Sequence, residues 1–192
     1  MGSIAELIKI IGQKARSASE TLRIASTDQK NNALISIASQ IQQNKQFILD
    51  ANDLDLKAAR ENSIDDALLD RLMLNDERLD SVVEGLHQIS TLVDPIGQIS
   101  DFKERPSGIK IGKMMVPLGV IGMIYESRPN DTVDAAGLCI KSGNAIILRG
   151  GSEAINSNIA FYSCIERGLE EAGLDSNSVQ LIKVTDREAV TE

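Results

Sequence analysis

Residues 119–151 read GVIGMIYESRPNDTVDAAGLCIKSGNAIILRGG. The stretch opens on a short, nearly all-apolar run, Gly119–Tyr125, the pattern of a strand covered on both faces. Pro129 suits a first helical position, and Val133, Ala136, Leu138 and Ile140 fill a short helix. Lys141-Ser142-Gly143 ends it, with a cation near the negative helix end and a glycine for the left-handed cap. Ala145–Leu148 (AIIL) is a second buried strand, closed by Gly150-Gly151. Farther on, Ile155, Ile159, Tyr162, Ile165 and Leu169 recur at helical spacing up to Gly173, and Val179–Val184 forms a third strand. This β-α-β-α-β order predicts parallel strands with right-handed crossovers. Asp186 reads as a cap, and residues 187–192 as the opening of a helix too short to finish, which predicts a truncated chain.

Before this stretch the pattern differs. Gln98–Glu104 and Ile109–Val116 read as two strands joined by the turn Arg105-Pro106-Ser107-Gly108. All four prolines lie between Pro95 and Pro129, and only Gly2, Gly12 and Gly85 precede Gly97. Residues 1–94 therefore suit helices. Ser3 and Glu6 have capping-box spacing, ahead of an apolar stripe from Ile4 to Leu22. A second helix starts at Thr27 or Asp28 and carries Leu34, Ile37, Ala38 and Ile41. A third carries Phe47, Ile48, Ala51 and Leu54, a short one Leu68, Leu69 and Leu72, and a fifth runs from Asp76 with Leu79, Val82, Val83, Leu86 and Ile89. The expected organisation is α/β: a helical segment over 1–94, then over 95–192 a β-hairpin and a partial Rossmann-like parallel sheet.

Composition narrows the function. The 192 residues carry 20 Lys+Arg against 28 Asp+Glu, a net charge of −8, which argues against a nucleic-acid or anionic-membrane surface. With 42% hydrophobic and 25% charged residues the chain is not globally disordered. No apolar run reaches membrane-span length, and Glu6 and Lys9 break any signal-peptide core. Cys139 and Cys164 make neither a disulfide framework nor a metal-ligand spacing, so no metal and a reducing cytoplasm are expected.

Ligands of doubly wound sheets bind beyond the carboxyl ends of the strands. Here those ends are Tyr125–Asn130, Leu148–Glu153 and Val184–Asp186. At the second, Gly150 and Gly151 permit close backbone approach, Arg149 offers a planar cationic fork and Ser152 a small hydroxyl, all suited to phosphate. Neither G-x-G-x-x-G nor G-K-[ST] is present, and taken alone the pair of glycines favours a plain loop with a solvated arginine.

Residues 116–154, VPLGVIGMIYESRPNDTVDAAGLCIKSGNAIILRGGSEA, closely resemble the γ-glutamyl phosphate reductases (glutamate-5-semialdehyde dehydrogenases) of proline biosynthesis, a branch of the aldehyde dehydrogenase superfamily. The helical stretch DALLDRLMLNDERLDSVVEGLHQI and the following DPIG resemble the same family, so the likeness covers essentially the whole chain as an N-terminal part. The resemblance implies an aldehyde dehydrogenase-like fold and an NADPH-dependent oxidoreductase that reduces L-glutamyl 5-phosphate to glutamate 5-semialdehyde. In that reaction a cysteine thiolate expels phosphate and hydride reduces the thioester. It also implies a homo-oligomer when full length, with glutamate 5-kinase as a candidate partner.

The family's nucleophile lies beyond residue 192, and neither Cys139 nor Cys164 matches its motif, so this chain alone is expected to be inactive. By the same resemblance Ile124, Tyr125, Glu126 and Ser127 flank the cofactor. Arg149 matches a superfamily lysine near the adenosine ribose, with Gly150 and Gly151 beside it. Ser152 replaces a glutamate that binds the ribose hydroxyls in many NAD-using relatives, which favours NADP over NAD. The oxyanion or substrate contact stays open between Arg128 and Asn130. The alternative is a non-catalytic NADP-binding or interaction module that ends at Glu192. His87 reads as a surface or partly buried histidine, and the two cysteines as packing residues.

Overall fold

The computed structural model describes residues 3–185 and Ala189. Five helices come first: α1 (Ile4–Leu22), α2 (Thr27–Gln43), α3 (Lys45–Glu61), α4 (Asp66–Leu72) and α5 (Asp76–Thr91). A two-stranded hairpin follows, β1 (Ile99–Glu104) and β2 (Lys110–Met114), and then β3 (Val120–Ile124), α6 (Asp131–Lys141), β4 (Ala145–Arg149), α7 (Ile155–Glu171) and β5 (Val179–Leu181). The second sheet has the order β3-β4-β5 with both pairings parallel, as the alternation of strand and helix requires. The fold is thus α/β, with a helical segment, a hairpin and a parallel sheet.

Local chemistry sets the boundaries. The Ser3 hydroxyl accepts from the Glu6 amide at the start of α1. At α2 the cap is Ser26, and a full capping box forms with Gln29, one residue ahead of the expected start. Gly143 and Gly173, both at positive φ, terminate α6 and α7. In the hairpin the Gly108 amide donates to the Arg105 carbonyl, closing the expected turn.

A core draws on both sides of residue 94. Leu34, Ile37 and Ile41 of α2 and Leu79 and Leu86 of α5 pack with Val133 and Ile140 of α6, Ile146 and Leu148 of β4, and Phe161 and Ile165 of α7. Helices α2 and α7 approach to backbone contact. A Cβ on Gly168 would lie 2.5 Å from Ile37 Cγ1 and 2.6 Å from its backbone nitrogen. A helical Gly→Ala change ordinarily gains about 1 kcal/mol of propensity. Here the methyl meets backbone that cannot rotate away, and overpacking costs about 1–3 kcal/mol. Gly168→Ala is therefore expected to be net destabilising, read as a lower denaturation midpoint.

Several expectations are corrected. The buried face of α3 is Ile48, Asn52, Asp55, Leu56 and Ala59, while Phe47 and Leu54 are 54% and 59% exposed. Strand β3 lies at the edge of its sheet and is only partly covered, with Ile124 63% exposed. Leu138 points outward from α6. Lys141 stands in the last turn of α6 as expected, but it is buried and its ammonium donates to Asn31 Oδ1 and the Ser90 carbonyl rather than to its own helix. Asn130, not Pro129, stands at the start of α6. The third parallel strand, Val179–Leu181, is shorter than the expected Val179–Val184. Val179 and Leu181 are buried, and Ile182 packs with Ile11 of α1. The cap and helix opening read at residues 186–192 lie outside the described residues, apart from Ala189.

Candidate functional site

The first strand end turns sharply. Beyond β3, the Tyr125 amide still donates to the Arg149 carbonyl (3.1 Å), and two residues later Ser127 sits at φ 35°. Few non-glycine residues adopt that conformation without support. The support comes from Glu153, whose Oε1 accepts from the Ser127 amide (2.7 Å) and hydroxyl (2.8 Å). Burial alone would raise the Glu153 carboxyl. Its own amide, the two Ser127 donors and the Arg149 charge outweigh burial and hold it below the ordinary value. Glu153 thus ties the first strand end to the second, a role its sequence neighbourhood does not signal.

Gly150 and Gly151 leave room that neighbouring side chains fill. A Cβ on Gly150 would meet Asn158 Nδ2 at 2.2 Å and the Tyr125 ring at 3.1 Å, and one on Gly151 would meet the Glu153 carboxylate at 2.1 Å. Tyr125 is buried, with its hydroxyl 2.6 Å from Thr132 Oγ1. Burial pushes its phenol up to about 12, with the Thr132 bond opposing and the Asp131 charge adding. Arg149 donates from Nη1 to the Gly150 carbonyl (2.8 Å) and from Nη2 to the Thr185 carbonyl (3.1 Å). Its Nε and Asn158 Nδ2 are buried donors without a partner. Two orphaned donors beside Gly150, with the exposed Ser152 next in line, fit a negatively charged group. Ile124 and Glu126 are exposed on the rim.

Arg128 and Asn130 lie on a different feature. With Arg71, Arg78, Asp70 and Asp134 they line a cleft of about 420 Å³ between the α4–α5 connection and the start of α6. The Asn130 amide donates to Asp134 Oδ2 (3.2 Å). Burial raises the Asp134 carboxyl, the Asn130 bond opposes, and the Asp131 charge adds to the rise. Arg78 donates to Asp70 Oδ1 (2.8 Å) and to the Met73 carbonyl (2.7 Å). Sequence reasoning missed Arg71 and Arg78, which reach this cleft from helices far away in the chain.

Burial pushes the Cys139 thiol up to about 11. It also raises the Cys164 thiol, against the lowering influence of Ser163 and Arg167. Neither is a thiolate near neutral pH, as packing cysteines should be. His87 is exposed on α5. Among the described residues no cluster of His, Cys, Asp and Glu could hold a metal ion, and no helix is long and apolar enough to cross a membrane.

No family model matches the chain. It is 57% identical over 192 residues to the γ-glutamyl phosphate reductase of Ruthia magnifica subsp. Calyptogena magnifica, covering 100% of this chain and 46% of that protein. The crystal structure of γ-glutamyl phosphate reductase from Thermotoga maritima superposes with a TM-score of 0.93 at 43% identity, over 95% of this chain and 44% of that one. A probable aldehyde dehydrogenase from Listeria monocytogenes EGD-e shares the fold, with a TM-score of 0.70 at 16% identity over 96% of this chain and 38% of that one. In sequence and in fold this chain is a homologue of the γ-glutamyl phosphate reductases within the aldehyde dehydrogenase fold, and it spans a little under half of their length.

Proposed function

We propose that this chain is the N-terminal part of an NADPH-dependent reductase that converts L-glutamyl 5-phosphate to glutamate 5-semialdehyde in proline biosynthesis. The observation that carries the reading is the 57% identity across all 192 residues. In this reading residues 95–192 are the NADP-binding α/β part and residues 1–94 a helical segment packed on it. The protein acts in the cytoplasm as a homo-oligomer, with glutamate 5-kinase as a candidate partner. The exposed Ile99, Phe102, Ile111 and Met114 of the hairpin support an assembling surface. The isolated chain does not turn over, because both its cysteines are packing residues and hydride transfer needs a held thioester. The test is an NADPH oxidation assay with L-glutamyl 5-phosphate, run on this chain and on the longer protein that contains it. Turnover is expected only in the latter.

NADPH, when bound, supplies the hydride. In this reading Ile124, Tyr125, Glu126 and Ser127 shape one wall of its site, Arg149, Gly150, Gly151 and Ser152 the other. The orphaned Arg149 Nε supports a bound anion there, and Glu153, engaged by Ser127, keeps the turn in shape. Arg128 or Asn130 contacts the substrate or its developing oxyanion.

Cofactor preference follows from Ser152, which is exposed and leaves room for a 2′-phosphate. In the longer protein Ser152→Glu would set a carboxylate against that phosphate while offering the ribose hydroxyls an acceptor. A lost charged contact costs roughly 1.5–3 kcal/mol, about ten- to hundredfold. The ratio of kcat/KM for NADPH over NADH is expected to fall by that factor. An unchanged ratio would remove these residues from the reading.

A further inference from the structure

The cleft at Arg128 gathers charges of both signs, with Asp131 close enough to Arg128 to feel its charge. Three guanidinium groups and two carboxylates line it. Arg78 is committed: it binds the Asp70 carboxylate, the Asp70 carbonyl and the Met73 carbonyl, closing the connection from α4 to α5. Arg71 and Arg128 are exposed and make no side-chain hydrogen bond or ion pair among the described residues. Across from them stands Asp134, half-buried, with the Asn130 amide as its only side-chain hydrogen-bond partner among the described residues. Burial raises the Asp134 carboxyl, the Asn130 bond opposes, and the neighbouring Asp131 charge adds to the rise.

Two cationic forks without hydrogen-bond partners among the described residues and a carboxylate held by one amide complement a zwitterion better than a simple anion. Two guanidinium groups suit a carboxylate, with planar donors matching its two oxygens. A lone anion would be repelled by Asp134, whereas an ammonium group would be drawn to it. Between the charged residues the wall is apolar, with Leu74 and Val82 available to a short methylene chain. The volume of about 420 Å³ is that of a small-metabolite site.

We infer that this cleft grips the α-amino-acid end of the glutamyl substrate, Arg71 and Arg128 taking its carboxylate and Asp134 its ammonium group. The inference rests on the reductase reading above and adds the residues that make the enzyme specific for an amino acid. The acyl phosphate then points out of the cleft, past Asn130.

The test uses the longer protein and three substrates: L-glutamyl 5-phosphate, glutaryl phosphate, which lacks the ammonium group, and 4-aminobutanoyl phosphate, which lacks the carboxylate. Arg71→Gln alters an exposed side chain and leaves the fold intact. It should lower the preference for L-glutamyl phosphate over 4-aminobutanoyl phosphate ten- to hundredfold, mainly through KM rather than kcat. Asp134→Asn should lower the preference over glutaryl phosphate by a similar factor and leave the preference over 4-aminobutanoyl phosphate in place. A crossed loss of this kind does not arise from general loosening of the cleft. If wild-type enzyme turns over L-glutamyl phosphate and both preferences survive both substitutions, the inference is overturned while the reductase reading stands. If wild-type enzyme shows no such turnover, both fall.

Discussion

Asp94→Asn is expected to cost about 3–5 kcal/mol of folding stability, the usual result of leaving one partner of a buried ion pair uncompensated. Lys30 is 2% exposed, and its Nζ lies 2.5 Å from Asp94 Oδ2. The same carboxylate accepts from Thr27 Oγ1 (2.7 Å) and the Ile96 amide (2.9 Å). Asparagine can keep part of that hydrogen bonding, so charge is the principal loss. A second buried ammonium, Lys141, makes matters worse. Its pKa is lowered by burial and by repulsion from Lys30, with Asp94 opposing. Without Asp94 two buried cations share the junction of α2, α5 and α6 with no carboxylate bonded to either. Adding Lys30→Met should recover much of the loss, since an apolar replacement of the whole pair is often nearly neutral. Denaturation midpoints of the single and double variants, at unchanged slope, give the answer. Acid offers a second readout. Burial alone would raise the Asp94 carboxyl, but the bonds from Lys30, Ile96 and Thr27 and the Lys30 charge hold it below the ordinary value. Its contribution is therefore complete above the ordinary aspartate range and lost as pH falls through the lower native value. The Asp94→Asn variant should lack that segment of the acid profile.

Asp55→Ala should be comparably damaging, on the order of 3 kcal/mol, through a different mechanism. Asp55 belongs to α3 yet caps α7. Its Oδ1 accepts from the Asn156 amide (3.1 Å) and side chain (2.8 Å), and its Oδ2 from the Ser157 amide (2.8 Å) and hydroxyl (2.6 Å). Ala154, the residue at the helix start, has no side-chain capping bond to offer. The first turn of α7 thus depends on a carboxylate that is 2% exposed and more than a hundred residues upstream. Alanine would leave those donors unpaired in the interior, whereas Asp55→Asn would keep acceptors for part of them and lose less. The damage should be local as well as global, because α7 begins directly after the loop that carries Arg149–Ser152. Amide hydrogen exchange at residues 150–157 should accelerate in Asp55→Ala beyond what the change in global stability explains.

These two carboxylates also mark where sequence reading ends. The parallel order, the hairpin turn and most helix boundaries were legible because they depend on nearest-neighbour chemistry: apolar runs, caps and glycines. Helix α3 was misread because its inward face holds Asn52 and Asp55, which are polar for the sake of distant partners. Asn52 donates to the Leu72 carbonyl and Ser157 Oγ and accepts from the Leu74 amide. An apolar-period rule selects Phe47 and Leu54 instead, and these face outward. The strand ends are candidates by position and by resemblance. The Ser127–Glu153 tie was not legible, because it depends on how two loops meet. Nor was the wall that Arg71 and Arg78 give to the cleft at Arg128.

The packing of α1 bears on how the chain acquires its structure. Ile11 of α1 meets Ile182, with Ile4, Ile8, Ile147 and Val184 around them. An emerging nascent chain makes α1 more than a hundred residues before Ile147 and Ile182, so the apolar stripe of α1 waits that long for its cover. Closing so long a loop is entropically slow, and the waiting stripe is a natural ligand for chaperones and for other unfinished chains. Conditions that slow elongation near residue 180 should therefore lower the soluble yield even though the finished fold is unchanged.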